Sequence, residues 1–227
     1  MVAQLFAIIR YTVMHNKLII FDLDGVLIES RELHYDALNE ALKRVGNDFV
    51  ITREEHLSVF DGLNTTKKLE MLSERKGLDR KYFNQIWQDK QTATFNLIRQ
   101  FPRDDKLRQM FAHIQAKGIK IAVASNSIRE TIKLALLSIG VMEFVDYYVS
   151  NEDVSRTKPF PEMYWKCMTA LNVLPKNTVI IEDSHIGRQG ALDSGAHLVP
   201  VRDSFDLTYE KIDEAIDTLN GVNRKKI

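Results

Sequence analysis

Cysteine is nearly absent from this chain of 227 residues, and Cys167 stands alone. A single thiol excludes an intrachain disulfide and a thiolate zinc cluster, and with them the cystine-stapled scaffold of a small secreted protein. A reducing cytoplasm is the expected compartment. Neither sign of charge is in excess, with 31 Lys and Arg against 31 Asp and Glu. No global field therefore points to nucleic acid or a membrane surface as partner, and any anion site has to be built locally. Five prolines and ten glycines make no Pro/Gly/Ser-rich linker, and there is no internal repeat or low-complexity run. No apolar run is long enough to span a bilayer. The apolar patch Leu5-Phe6-Ala7-Ile8-Ile9 falls in residues 1–16, which read as an N-terminal extension without a small-residue cleavage site, Met14 being an alternative start. Arg224-Lys225-Lys226 reads as a solvated tail.

What is present is a chain with 44% apolar residues, enough for the core of one large domain or two modest ones. Its most informative stretch is Phe21-Asp22-Leu23-Asp24-Gly25-Val26-Leu27-Ile28-Glu29-Ser30. The run Lys17 to Phe21 is apolar without period-two alternation, as expected of a strand covered on both faces in a parallel sheet, and it stops on two carboxylates one residue apart. In an open α/β sheet a ligand binds just beyond such an end. Alone, D-x-D-G is equally a tight Asp-Gly turn or a fragment of a calcium loop.

From about Arg31 to Arg99 the pattern is helical: Leu38, Ala41, Leu42 and Val45 recur at helical spacing, as do Phe83, Ile86 and Trp87. Gly46 and Gly77 are expected stops. Beyond Leu107, helices and buried strands alternate. A stripe at Leu107, Met110, Phe111 and Ile114 precedes a strand at Ile119 to Ala124; a stripe at Ile128, Ile132, Ala135, Leu136 and Ile139 precedes a short strand at Tyr147 to Val149. Pro161 is expected in the first turn of the next helix, followed by strands at Thr178 to Ile181 and His197 to Val201 around a small-residue helix at Gly187 to Ser194. The alternation predicts a doubly wound parallel sheet. The helical block, residues 31–100, interrupts it as an insertion hanging over the first strand's end, so that 17–30 and 101–227 form the α/β core. Hinges are expected near Ile28 to Arg31 and Phe101 to Asp104. Trp87, Trp165 and the methionines are expected in the core, and Cys167, on an apolar helix face, is expected to be inert.

The other strand ends are polar in a useful way. Ser125-Asn126-Ser127 offers hydroxyls and backbone N–H groups that fit a phosphate oxygen or a plain helix N-cap. Lys158 precedes Pro159, whose ring stiffens the backbone that carries the amine. Glu182-Asp183-Ser184 offers two carboxylates, which fit a helix cap or, opposite Asp22 and Asp24, hard-cation ligands.

In the order D-x-D-G, S-N-S, K-P and E-D-S-x-x-G, the chain from Lys17 to Asp217 resembles the haloacid dehalogenase-like (HAD) superfamily, in its phosphatase and β-phosphoglucomutase-like branch with a helical cap inserted after the first motif. The resemblance implies a Rossmann-like core and a magnesium-dependent phosphatase acting on a small phosphorylated metabolite, such as a sugar phosphate or a phosphoglycolate-like compound. It implies that Asp22 is the nucleophile that forms an aspartyl-phosphate. Asp24 would be the general acid and then the base, with Ser125 and Lys158 completing the catalytic set. Mg2+ would be held by Asp22, the backbone carbonyl of Asp24 and Asp183, with Glu182 close by. The second aspartate separates this pattern from the family's metal-free dehalogenases, whose halide leaves without a proton.

Substrate contacts are expected from Asn126, from His34, which serves either as catalytic support or as hinge packing, and from the cap loop Phe60 to Lys67 through Gly62, Asn64, Thr65 and Lys67. Where mutase relatives are expected to carry a phosphate-gripping arginine, Thr65 stands instead; Lys67 or Lys68 replaces it as a point charge but not as a bidentate fork. The remaining alternatives are a phosphomutase, a phosphonate hydrolase using a cap lysine (Lys67, Lys68, Lys76 or Lys90), a phosphoacceptor signalling domain, which would have no cap, and a catalytically silent binding module.

Overall fold

A computed structural model describes residues 16–60 and 63–221 of the chain. Five parallel strands form one sheet in the order β3-β2-β1-β4-β5, with β1 Leu18–Phe21, β2 Lys120–Ala124, β3 Tyr147–Val149, β4 Thr178–Glu182 and β5 His197–Pro200. All five lie where the apolar runs predict them. Because side chains alternate across a strand, β1 splits between two apolar layers. Ile19 and Phe21 face a cluster with Ile121, Val123, Val179 and Ile181; Leu18 and Ile20 face a second with Ala122, Ala124 and Ile180. The first layer is closed by α4 (Asp105–Ala116), α5 (Arg129–Ser138) and α8 (Tyr209–Leu219), and the second by α6 (Glu162–Leu171) and α7 (His185–Asp193). A sheet covered on both faces accounts for the continuous apolar strands.

Between β1 and α4 the chain leaves the sheet to form α1 (Arg31–Lys43), α2 (Thr65–Lys76) and α3 (Phe83–Ile98). These helices enclose their own cluster of Leu38, Ala41, Leu42, Leu69, Leu72 and Ile86, of which Leu38, Ala41, Leu42 and Ile86 are stripe residues of the sequence. Asn64 caps α2 by accepting the Lys67 N–H at 3.0 Å, and Gly77 ends it at φ 70°, in the left-handed region that glycine adopts without strain. The inserted cap is tied to the core where α3 packs on α5.

Three local expectations are corrected. Ser125 to Ser127 do not start a helix, since α5 begins only at Arg129; their hydroxyls are turned to other work. Pro161 sits one place before α6 rather than inside its first turn. Trp165 is not core: it is 44% exposed on the outside of α6, with its indole N–H donating to the Ser194 carbonyl at 3.1 Å. Cys167 is buried on the inner face of α6, where burial pushes its thiol up to about 12, as an inert thiol requires.

Candidate active site

The carboxyl ends of β1, β2 and β4 open on a cavity of about 450 Å3. Its floor comes from the core and includes Asp22, Asp24, Ser125, Asn126, Lys158 and Asp183; its roof comes from the cap and includes His34, Asn64, Thr65, Lys68, Trp87, Lys90 and Gln91. The turn after β1 is drawn tight by Leu23, whose carbonyl accepts the N–H groups of Leu27 at 2.9 Å and Ile28 at 3.1 Å. Gly25 occupies this turn at φ 85°, and a Cβ there would lie 2.3 Å from Oδ2 of Asp183. Only a residue without a side chain lets the two loops approach this closely.

Lys158 is the hub of the floor. Its ammonium, 3% exposed, donates to Asp22 at 2.5 Å and to Glu182 Oε2 at 2.7 Å. Burial opposes its charge, but the two carboxylates win and raise its affinity for the proton well above an ordinary lysine's. Glu182 is fully buried. Its Oε2 also accepts the Tyr164 hydroxyl at 2.9 Å, and its Oε1 accepts the Ser184 N–H at 3.1 Å and hydroxyl at 2.9 Å. Burial raises its pKa, yet Lys158 and Ser184 outweigh that and keep it ionised. Asp22 stands differently. Burial, then the negative charges of Glu182, Asp183 and Asp24, raise its pKa well above the usual carboxylate range in spite of Lys158. A carboxylate crowded in this way is stabilised by a further cation.

Such a cation has a place. Asp22, Glu182 and Asp183, all buried, each present a carboxylate oxygen within 4.8 Å of the others. An all-oxygen anionic set pressed against the Gly25 backbone suits a hard divalent ion.

Asp24, two residues from Asp22, is held by four side chains. Its Oδ1 accepts the Ser30 hydroxyl and pairs with His34 Nε2 at 2.8 Å, while its Oδ2 accepts the hydroxyls of Ser127 at 2.9 Å and Ser125 at 3.2 Å. Burial raises its pKa, but His34 and the hydroxyls overcome this and carry it far below the usual value. Ser125 and Ser127, whose hydroxyls fit either a phosphate oxygen or a helix N-cap in the sequence, here hold a carboxylate.

In the roof, Lys90 Nζ lies 3.3 Å from Nδ1 of His34. Burial first, and then the charge of Lys68, bring Lys90 down to about 7. Burial and Lys90 likewise lower His34, against the pull of Asp24. Both lysines are 8% exposed, so neither is a solvated surface group.

Asp22, Asp24, Ser125, Asn126, Lys158, Asp183, His34, Asn64 and Thr65 all line this one cavity, and Glu182 stands behind Lys158. Asn126 Oδ1 accepts the Lys158 N–H at 3.2 Å, fixing the backbone that carries the amine. Lys67 is not among the lining residues; Lys68 is. Gly62 lies outside the described residues. Lys76 points elsewhere, to the Val50 carbonyl and Glu55. The sequence pattern gave no site role to Ser30 or Tyr164, read Ser127 as a phosphate or capping donor rather than a partner of Asp24, and placed Trp87 in the core, whereas it lines the cavity. Lys90 had a detectable signal: Ile86, Lys90, Thr94 and Ile98 form one buried stripe of α3, and a lysine in an apolar stripe is rare without a function.

The family model of the haloacid dehalogenase-like hydrolases matches residues 19–201. Among characterised proteins, the chain is 26% identical over 180 residues to a phosphorylated carbohydrates phosphatase of Thermotoga maritima, covering 78% of this chain and 81% of that protein. It is 23% identical to the pyrophosphatase PpaX of Bacillus cereus, covering 93% and 100%. Among solved structures, the β-phosphoglucomutase of Clostridium difficile superposes with a TM-score of 0.76 at 22% identity over 91% of this chain and 98% of that one. CbbY of Rhodobacter sphaeroides, in complex with phosphate, gives 0.73 at 23% identity over 82% and 85%. At these identities the solved structures establish the fold, and the family model, spanning most of the chain with all four motifs in place, establishes that the chain belongs to the haloacid dehalogenase-like hydrolase family.

Proposed function

We propose that this protein is a magnesium-dependent phosphatase that hydrolyses a small phosphorylated metabolite, a sugar phosphate or a phosphoglycolate-like monoester, through an aspartyl-phosphate. The observation that carries the reading is the asymmetry of the two aspartates. Asp22 is crowded by like charges beside the Lys158 ammonium, whereas Asp24 is held apart by hydroxyls and His34. One carboxylate is set to attack and the other to handle protons.

In the first step an Oδ of Asp22 attacks phosphorus and the bond to the leaving oxygen breaks. Lys158 and the Ser125-Asn126 segment face the phosphoryl oxygens and stabilise their charge. Asp24, in protonated form, gives its proton to the leaving alcohol. In the second step the Asp24 carboxylate takes a proton from the attacking water, and phosphate leaves Asp22. With four donors Asp24 is set as the base; to serve as the acid it has to give up some of them. Asp22, Asp183 and the Asp24 backbone carbonyl would hold Mg2+, with Glu182 adding charge. The ion supplies charge neutralisation that lets a carboxylate approach a phosphate dianion.

A cavity of about 450 Å3 accommodates one small metabolite, and the buried Lys68 and Lys90 favour a substrate whose far end carries hydroxyls or a second negative charge. The test is release of inorganic phosphate from a panel of phosphorylated metabolites, with Mg2+ or with chelator, by wild type and Asp22→Asn. The expected outcome is turnover that needs Mg2+ and falls by about 10^3-fold or more in Asp22→Asn. If no phosphomonoester is turned over at high enzyme concentration, the reading is wrong. Isomerisation of a hexose 1-phosphate that depends on a bisphosphate activator would replace it with a phosphomutase.

A further inference from the structure

Tyr164 belongs to none of the four motifs, yet it is the largest fully buried side chain next to the floor of the site. Its hydroxyl donates to Glu182 Oε2 at 2.9 Å, the same oxygen that accepts Lys158 Nζ at 2.7 Å. The Lys158 ammonium also lies 5.5 Å from the centre of its ring, within the range of a cation–π contact. One side chain thus touches the lysine and the lysine's counter-ion together.

Two glycines of α7, three residues apart, make room for this arrangement. A Cβ on Gly187 would fall 2.1 Å from the carboxyl carbon of Glu182, and a Cβ on Gly190 would fall 3.2 Å from Cε2 of Tyr164. The Gly187 carbonyl lies 3.2 Å from the Tyr164 oxygen. Glu182 and Tyr164 therefore sit in a slot shaped by the bare face of the helix that follows β4. The four donors on Glu182 account for its acceptor capacity, so its task is to hold Lys158 rather than to change partners during turnover.

We infer that Tyr164 is a positioning residue for phosphoryl transfer: by occupying part of Glu182 Oε2 and lying beneath the ammonium, it sets how far Lys158 leans toward Asp22 and the transferring phosphoryl group. Without the phenol proton, Oε2 has Lys158 as its single strong donor and draws the amine away from Asp22. The inference rests on the phosphatase reading, so its test has a part that needs no turnover.

Tyr164→Phe keeps the ring and the packing. The expected result is a kcat lower by about tenfold, the scale of one hydrogen bond to a buried charge, with KM within about twofold. Fluorotyrosines placed at position 164 vary the acidity of the phenol at nearly constant shape; kcat is expected to track that acidity, which a packing role would not produce. Independently of any substrate, proton exchange at the Lys158 ammonium, followed by 15N NMR, is expected to quicken in Tyr164→Phe. An unchanged kcat, a kcat indifferent to fluorination, or, should no substrate be turned over, an unchanged Lys158 exchange rate would each overturn the inference.

Discussion

Two lysines buried to nearly the same depth, Lys158 in the floor of the cavity and Lys90 in its roof, are driven in opposite directions by their neighbours. Lys158 has Asp22 and Glu182 within 2.7 Å and holds its proton more tightly than a free lysine. Lys90 has His34 at 3.3 Å and the charge of Lys68 nearby, and is brought down to about 7. Burial costs both of them charge; what separates them is counter-ions. The floor is neutralised internally and can wait in a fixed geometry, whereas in the roof burial and the neighbouring Lys68 outweigh the more distant Asp24 and hold the charge of Lys90 down, a balance that an anionic ligand would reverse. On the proposed function, phosphoryl transfer and the grip on the substrate's far end thus fall to opposite walls, with Asp24 touching both through Ser125 and Ser127 on one side and His34 on the other.

The sharpest way to break this contrast is Lys158→Met. It leaves Asp22 and Glu182 buried without their cation, which costs about 3–5 kcal/mol of stability by the usual penalty for breaking a buried pair, read as a large fall in the denaturant midpoint. Turnover is expected to drop by about 10^2–10^3-fold. Asp24→Asn cuts the bridge between the walls. It is expected to slow turnover by about 10^2-fold or more while substrate still binds, so that kcat falls and KM holds. Because the folded-state pKa of Asp24 is depressed, the carboxylate contributes stability above about pH 4, its unfolded pKa. The stability difference between wild type and Asp24→Asn should accordingly fade as pH drops below that value.

Lys90→Met sharpens the contrast with the smallest effect and the opposite sign. A lysine whose folded-state pKa is lowered destabilises the fold most below that pKa, and the penalty fades as pH rises toward the unfolded value near 10.4. The variant is therefore expected to melt a few degrees above wild type at pH 6, with the gain shrinking toward pH 10, while binding of an anionic ligand weakens. A variant that melts below wild type at pH 6 would show that Lys90 is compensated in the roof after all.

Much of the floor was legible in the sequence because Asp22, Ser125 and Asp183 each follow directly on a strand, and parallel strands bring their carboxyl ends to one edge whatever the connections between them. Lys158 lies in the loop between β3 and α6, and it was the order of the four motifs that pointed to it. The roof was less legible. Lys68 and Lys67 are adjacent, and only the rotation of α2 after the Asn64 cap decides which faces the cavity. Ser30 and Ser127 bind the same carboxylate from 97 residues apart, a relation that periodicity does not encode. Trp165 shows the opposite error, since a bulky aromatic reads as core even when its ring lies half-exposed on the outer side of its helix and its indole N–H has found a backbone carbonyl.

The pairing of β1 carries a consequence for the life of the chain before it is an enzyme. Leu18 is in register with Lys120 on one side and Thr178 on the other, so the strand that leads into Asp22 is made well before both its neighbours and cannot be flanked on both sides until β4 has followed. Contacts at such separations form slowly. A nascent or truncated chain ending before β4 carries Asp22 on an unclosed sheet, without Glu182 or Asp183 beside it. Competence at this site therefore arrives only once β4 has been made, and the order of assembly itself guards against a half-built phosphatase.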